Sequence, residues 1–273
     1  RIVAVGDLHG DFGNTINVFH MAGIIDAKKH WAGGNHTVFV HTGDVVDRGP
    51  DTIQLYALME RLKREASEAG GRVVQVLGNH ELMNLSDDYR YVTREDIASF
   101  GGLAARRRAW RADGSIGQRL FQLHLVHRVG DSVFAHGGIN EDWATKGVHE
   151  INQMTTAQLP PYVAEEDPWL RYHGWPIFGS EGPAWYRGFA LGNEAVICPL
   201  LSRALRKLKA KRMIVGHTWQ DSGRVLSRCN GRFFVIDVGI SAAYGGFQGA
   251  LEVMPDGTVT AIYPDGRVQL AAQ

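Results

Sequence analysis

The sequence predicts a single domain of the α/β class, on three observations. Short runs of β-branched and aromatic residues recur along the chain, and each runs into a polar residue beside glycine. Amphipathic stretches with helical spacing stand between several of these runs. A length of 273 residues with 44% hydrophobic content is enough for one sizeable core.

The strands come in chain order. Ile2-Val3-Ala4-Val5 leads into Gly6-Asp7-Leu8-His9-Gly10, and Val38-Phe39-Val40 leads into Gly43-Asp44. Val73 to Leu77 leads into Gly78-Asn79-His80-Glu81, and Val133-Phe134-Ala135 into His136-Gly137-Gly138. Met213-Ile214-Val215 leads into Gly216-His217, and Phe233 to Ile236 into Asp237-Val238-Gly239. Runs of this length and composition read as buried strands.

Two helices are legible between them. Residues 51 to 69 set Leu55, Leu58, Leu62, Ala66 and Ala69 on one stripe, opening after Gly49-Pro50 and closing at Gly70-Gly71. Residues 199 to 211 open with Pro199, turn Leu201, Ala204, Leu205 and Leu208 inward, and end in basic residues that suit the helix dipole. From 140 to 192 the pattern lapses into a stretch rich in Trp, Pro and Gly, which reads as an irregular cap within one domain spanning 1–273.

Composition narrows the function. Lys+Arg and Asp+Glu balance at 29 each, so charge gives no case for nucleic acid or an anionic membrane surface as partner. No apolar run reaches the length of about 18 residues that a membrane span needs. Two cysteines are too few for a disulfide framework, and Cys198 and Cys229 are expected to be free thiols, with a single bridge between them as the alternative. The chain begins at Arg1 on a strand, as a trimmed or processed chain does, so a targeting segment falls outside view. A soluble, intracellular monomer is the simplest expectation.

In parallel α/β sheets functional groups gather at the carboxyl ends of strands, where all of these polar motifs fall. Their residue types suit two divalent ions, which need hard oxygens, imidazoles and one shared carboxylate. Asp7 and His9 leave one strand on alternate positions and serve one ion. Asp44 bridges, and Asn79, His136 and His217 serve the second ion. The set suits Mn, Fe or Zn. A water between the ions would be acidified towards a hydroxide poised for in-line attack on phosphorus. His80 follows Asn79 and is the expected general acid, with Asp47 fixing its tautomer and charge. Arg48 and Arg187 are expected on phosphate oxygens, and Tyr244 at the rim. His41 is a candidate to back the ligands, and His173 to line the cleft. Arg106-Arg107-Arg108 reads as a solvated helix face.

The string G-D-x-H-G, G-D-x-x-D-R-G, G-N-H-E, H-G-G and G-H, each after a strand, resembles the phosphoprotein phosphatase branch of the calcineurin-like metallophosphoesterases. Leu77 to Asn84, Asp88 to Thr93 and Gly182 to Gly188 look like the Shewanella-like protein phosphatases. The resemblance spans residues 2 to about 250. It implies a four-layer αββα sandwich, two metal ions, the ligand set and working shell given above, and a phosphoprotein or phosphopeptide substrate. It departs from the Ser/Thr members by lacking S-A-P-N-Y-C, with Asp237 to Tyr244 in that region. Preference between phosphoserine, phosphothreonine and phosphotyrosine therefore stays open. A dinucleoside polyphosphate hydrolase and a metal-bound phosphopeptide-binding module without turnover are the alternative readings.

Overall fold

The computed structural model describes residues 1–271 and is a mixed α/β fold built on two sheets. The chain begins β1 (Ile2–Val5), α1 (Phe12–Met21), β2 (Val38–His41), α2 (Thr52–Glu68), β3 (Arg72–Gln75). Four short helices follow: α3 (Asn79–Leu85), α4 (Arg94–Ser99), α5 (Leu103–Trp110) and α6 (Gly117–Leu120). Then come β4 (Val126–Val129), β5 (Ser132–Ala135), α7 (Glu141–Ala164), α8 (Pro168–His173), α9 (Gly188–Leu191), α10 (Glu194–Leu208) and β6 (Arg212–Val215). The chain closes with β7 (Leu226–Arg228), β8 (Phe233–Val235), β9 (Ala250–Val253), β10 (Val259–Tyr263) and β11 (Gly266–Ala271).

The first sheet runs β11-β10-β9-β1-β2-β3, with β1, β2 and β3 parallel and the last three strands antiparallel. The second runs β4-β5-β6-β8-β7, with β5, β6 and β8 parallel. Both belong to one core, which joins Val3, Val5, Phe39 and Val40 of the first sheet to Phe134, Ile214, Phe233 and Val235 of the second. The parallel strands β1, β2, β5, β6 and β8 are buried throughout or nearly so, as a sheet covered on both faces requires, and β3, at the edge, buries its central Val73 and Val74. This is the αββα sandwich. The parallel strands of both sheets end at one edge, and that edge is the site.

The helix over 51–69 forms as α2, with Leu55, Leu58, Leu62 and Ala66 buried and Ala69 as its C-cap. The helix expected from Pro199 starts earlier. Asn193 caps α10 by accepting from the Ala195 N–H, and Pro199 lies inside the helix. The stretch expected to be irregular is largely helical. In α7 the chain bends at Gly147, whose φ of +76° is the left-handed region, and continues through Pro160-Pro161. Those three residues read as breakers in the sequence, yet the helix survives by kinking at one and ending just after the others.

Two further expectations are corrected. Cys198 and Cys229 are not free: they form a disulfide that ties α10 to the turn between β7 and β8, with Cα atoms 5.4 Å apart. The Arg106 side chain does not face solvent either. It is fully buried in α5, with Nε donating to Asp96 Oδ2 at 2.8 Å and the guanidinium over the rings of Tyr89, Phe100 and Trp110. Arg107 does remain half exposed, paired with Asp87. No helix among the described residues is long and apolar enough to cross a membrane.

Candidate active site

The six expected ligand residues converge. Asp7 and His9 follow β1, Asp44 follows β2, Asn79 opens α3 after β3, His136 follows β5 and His217 follows β6. All six side chains are buried. Backbone bonds fix the loops against each other. The N–H groups of Leu8 and His9 both donate to the Asp44 carbonyl, at 2.9 and 3.1 Å, and Gly10 N–H donates to Val45 O at 2.8 Å. His9, Asp44, Asp47, Arg48 and His217 all hold positive φ, between 43° and 70°. Non-glycine residues adopt this region at a steric cost, and such strain collects where function demands a geometry. The glycines of the motifs have a packing reason: a side chain at Gly78 would overlap Asp44 Oδ1, and one at Gly216 would overlap Asp7 Oδ1.

The imidazoles are turned by their second nitrogens. His9 Nδ1–H donates to Val46 O at 2.9 Å, which leaves Nε2 facing Asp7 Oδ2 and Asp44 Oδ2, each at 3.9 Å. His136 Nδ1–H donates to Thr42 O at 2.7 Å, and its Nε2 meets Asn79 Oδ1 at 2.8 Å and Asp44 Oδ2 at 3.1 Å. His217 uses Nε2 on the Trp185 carbonyl at 3.1 Å, and its backbone N–H donates to the Asp7 carboxylate. A carbonyl on one nitrogen sets the tautomer and frees the other as a lone-pair donor. Two clusters able to hold a cation result, His9–Asp44–His80 and Asp44–His136–His217. Asp44 stands in both.

Electrostatics fit cations here. Burial, then the nearby Asp237 and Asp44, push the Asp7 carboxyl well above its ordinary range. Burial likewise raises Asp237 to about 6. Although burial opposes it, the rings of His136, His80 and His9 hold Asp44 well below that range. Burial lowers His9 to about 4 and takes His217 well below its usual value, which favours the neutral form that a metal-ligating imidazole needs. Crowded buried acids beside imidazoles form a donor set suited to cations.

His80 differs from the other rings. Its Nδ1 lies 2.6 Å from Asp47 Oδ2, not on a carbonyl. Burial lowers its pKa, but Asp44 and then Asp47 outweigh this and raise it. Its Nε2 faces Asp44 Oδ2 at 3.8 Å. This carboxylate partner favours a protonated ring, which suits a proton donor better than a ligand. Asn84 Nδ2 donates to both Asp47 oxygens at 3.0 Å and so fixes that carboxylate.

A cleft of about 370 Å³ opens over these groups, lined by Asp7, His9, Asp44, His80, Arg187 and His217, with Tyr244 and Trp219. Larger cavities of about 510 and 720 Å³ open around the end of α3 and the segment 140–192 and hold none of the six expected ligand residues. Arg187 donates to the His217 carbonyl at 3.0 Å, and Tyr244 stacks 5.0 Å from the His9 ring. Arg48 is outside the lining, its guanidinium 4.0 Å over the Tyr91 ring, and Tyr91 packs 5.1 Å from the His80 ring. His41 is buried behind the site, where its Nδ1 accepts from Gly43 N–H at 3.4 Å and burial lowers its pKa to about 3. His173 lies away on α8, against Trp169 and Tyr172.

Glu81 and Asp237 are among the site residues to which sequence reasoning gave no role. Glu81, although inside the quoted G-N-H-E motif, accepts from the N–H groups of Asp44, Val45 and Gly78 at 2.8–2.9 Å and from the Tyr56 hydroxyl at 3.3 Å. It thus builds the loop that presents Asp44. Asp237, at the end of β8, packs beside Asp7; its signal was its place after a strand, like the ligands.

A family model for calcineurin-like phosphoesterases matches residues 1–221. The chain belongs to that family of metal-site phosphoesterases. Within it, the similarity runs to the Shewanella-like protein phosphatases. The chain is 33% identical to Shewanella-like protein phosphatase 2 of Arabidopsis thaliana, over 95% of this chain and 76% of that protein. It is 37% identical to an uncharacterized protein of Schizosaccharomyces pombe, over 98% of this chain and 82% of the relative. Its fold is similar to the crystal structure of the cold-active protein-tyrosine phosphatase of a psychrophilic Shewanella species, with TM-score 0.82, 28% identity, and coverage of 98% of this chain and 80% of that one.

Proposed function

We propose that this chain is a metal-dependent phosphoprotein phosphatase that hydrolyses phosphomonoesters. The observation that carries the reading is a cleft lined by Asp7, His9, Asp44, His80 and His217, with Asn79 and His136 joined to Asp44 beneath it and Asp47 joined to His80. Asp7, His9 and Asp44 would hold one divalent ion, and Asp44, Asn79, His136 and His217 the other. Manganese, iron and zinc all suit this mix of oxygen and imidazole donors. When bound, the ions supply Lewis-acid stabilisation of the phosphoryl group and acidify a water for attack on phosphorus.

The residues of the chain do the rest. Arg187, and Arg48 from the rim, bind phosphate oxygens by charge-assisted hydrogen bonds. His80 Nε2–H gives its proton to the ester oxygen as the P–O bond breaks. Asp47 holds the imidazole by Nδ1 throughout, and Asn84 holds Asp47. Residues 140–192 act as a cap, since Trp185 and Arg187 reach the site from that segment. The similarity to proteins named protein phosphatases, one of them a protein-tyrosine phosphatase, supports a phosphorylated protein side chain as substrate.

The test is turnover of para-nitrophenyl phosphate and of phosphoserine, phosphothreonine and phosphotyrosine peptides by Mn²⁺-loaded protein. Release of phosphate from the peptides is expected. No turnover of any of them in metal-replete protein would sink the reading.

A further inference from the structure

Two large apolar side chains stand open to water at the mouth of the cleft, although its floor is polar. Trp219 is 46% exposed and Leu191 is 68% exposed, and both line the same cleft as Asp7, His9, Asp44 and His217. Each is carried by an element that also carries a polar group of the site. Trp219 follows His217 by two residues, and Leu191 closes the short helix that begins just after Arg187. The indole of Trp219 is seated against the Tyr244 ring, with centroids 5.5 Å apart and planes tilted by 58°. Gly239, with φ of +80°, leaves room for it, because a side chain there would overlap the indole Nε1.

The phosphorylated side chains differ in what they bring to such a mouth. In phosphoserine and phosphothreonine the ester oxygen is bonded directly to Cβ, so the peptide backbone follows at once. Phosphotyrosine interposes a six-membered ring between ester oxygen and Cβ. With the phosphate over the ligand residues, that ring is the large apolar body that can meet Trp219, where phosphoserine brings none and phosphothreonine a single methyl. Covering exposed indole and leucine surface is favourable in itself, and a tilted or offset aromatic pair adds to it.

On the phosphatase reading above, we infer that Trp219, backed by Tyr244 and joined by Leu191, is the specificity-determining clamp for the ring of an aryl phosphate, phosphotyrosine in a peptide. The side chain selects the leaving group and takes no part in proton transfer, so its effect falls on KM more than on kcat.

The experiment uses three peptides of one sequence that differ only in carrying phosphotyrosine, phosphoserine or phosphothreonine. Values of kcat and KM are measured for the Mn²⁺-loaded wild type, Trp219→Ala, Trp219→Phe and Leu191→Ser. The expected result is a wild-type preference for phosphotyrosine whose ratio over phosphoserine falls at least about ten-fold in Trp219→Ala, through KM. Trp219→Phe should recover most of the ratio. Leu191→Ser, at an exposed position tolerant of change, should lower it in the same direction. An equal loss on all three peptides, or an unchanged ratio in both Trp219→Ala and Leu191→Ser, would overturn the clamp. Failure of the wild type on every peptide would instead overturn the phosphatase reading itself.

Discussion

The His80 imidazole and the Asp47 carboxylate, 33 residues apart in the chain, are joined by a 2.6 Å hydrogen bond between Nδ1 and Oδ2. Asp47 holds a positive φ of 70° to reach that position, and Asn84 donates to both of its oxygens. A carboxylate that is itself fixed leaves the ring one orientation, with Nε2 turned to Asp44 Oδ2. Replacing His80 by Asn removes the proposed proton donor. On a phosphoserine peptide kcat should fall about 10²–10⁴-fold. On para-nitrophenyl phosphate, whose phenolate leaves without help, the fall should be much smaller. Steady-state kinetics on both substrates check this.

Glu81 is a structural counterpart to that pair. It satisfies three buried backbone N–H groups around Asp44. A buried donor left without a partner costs about 1–3 kcal/mol. Glu81→Ala should therefore lose more than about 3 kcal/mol of stability and bind metal poorly, whereas Tyr56→Phe should lose about 1 kcal/mol. Urea unfolding and metal analysis of the two variants separate these outcomes.

The Cys198–Cys229 bond closes a loop with a sequence separation of 31. On the chain-entropy account such a loop contributes about 3–4 kcal/mol. Cys198→Ser should lower the melting temperature and make it insensitive to reductant, while the wild type melts earlier once reduced. Thermal melts with and without reductant measure both effects.

The buried pair of Arg106 and Asp96 makes a different kind of demand. Neither charge meets water, and Arg106 spends its free surface on aromatic rings. Removing one partner strands the other, a loss of about 3–5 kcal/mol. Arg106→Met alone should destabilise by that amount, and adding Asp96→Leu should recover much of it. A double-mutant cycle in denaturant is the measurement.

What was legible in the sequence follows from locality. Asp7, His9, Asp44, Asn79, His136 and His217 each sit within a few residues of a strand end, beside glycines that the crowded ligands require. The stripe of α2 shows for the same reason. What was not legible depends on partners distant in the chain. The Cys198–Cys229 bond needs two elements to meet, and Arg106 looks solvent-facing until Asp96 and three rings surround it. Gly147 and Pro160-Pro161 concealed α7, because a kink and a helix end carry the same residues as a loop. The strands β9 to β11 went unread because Glu252 and other polar residues interrupt their apolar pattern; they are antiparallel and end in no motif. Glu81 carries a charge whose partners are backbone groups, and no side-chain pattern marks them.

The central claim is a two-ion centre that shares Asp44, and its most direct test is a metal titration. Protein stripped with chelator is reloaded with Mn²⁺ while para-nitrophenyl phosphate turnover and bound metal per chain are followed together, beside Asp44→Asn. The expected result is an inactive stripped protein whose activity climbs to a plateau as about two ions bind per chain, and an Asp44→Asn protein that neither binds both nor turns over. Full activity in protein free of metal, or an unimpaired Asp44→Asn variant, would contradict the account.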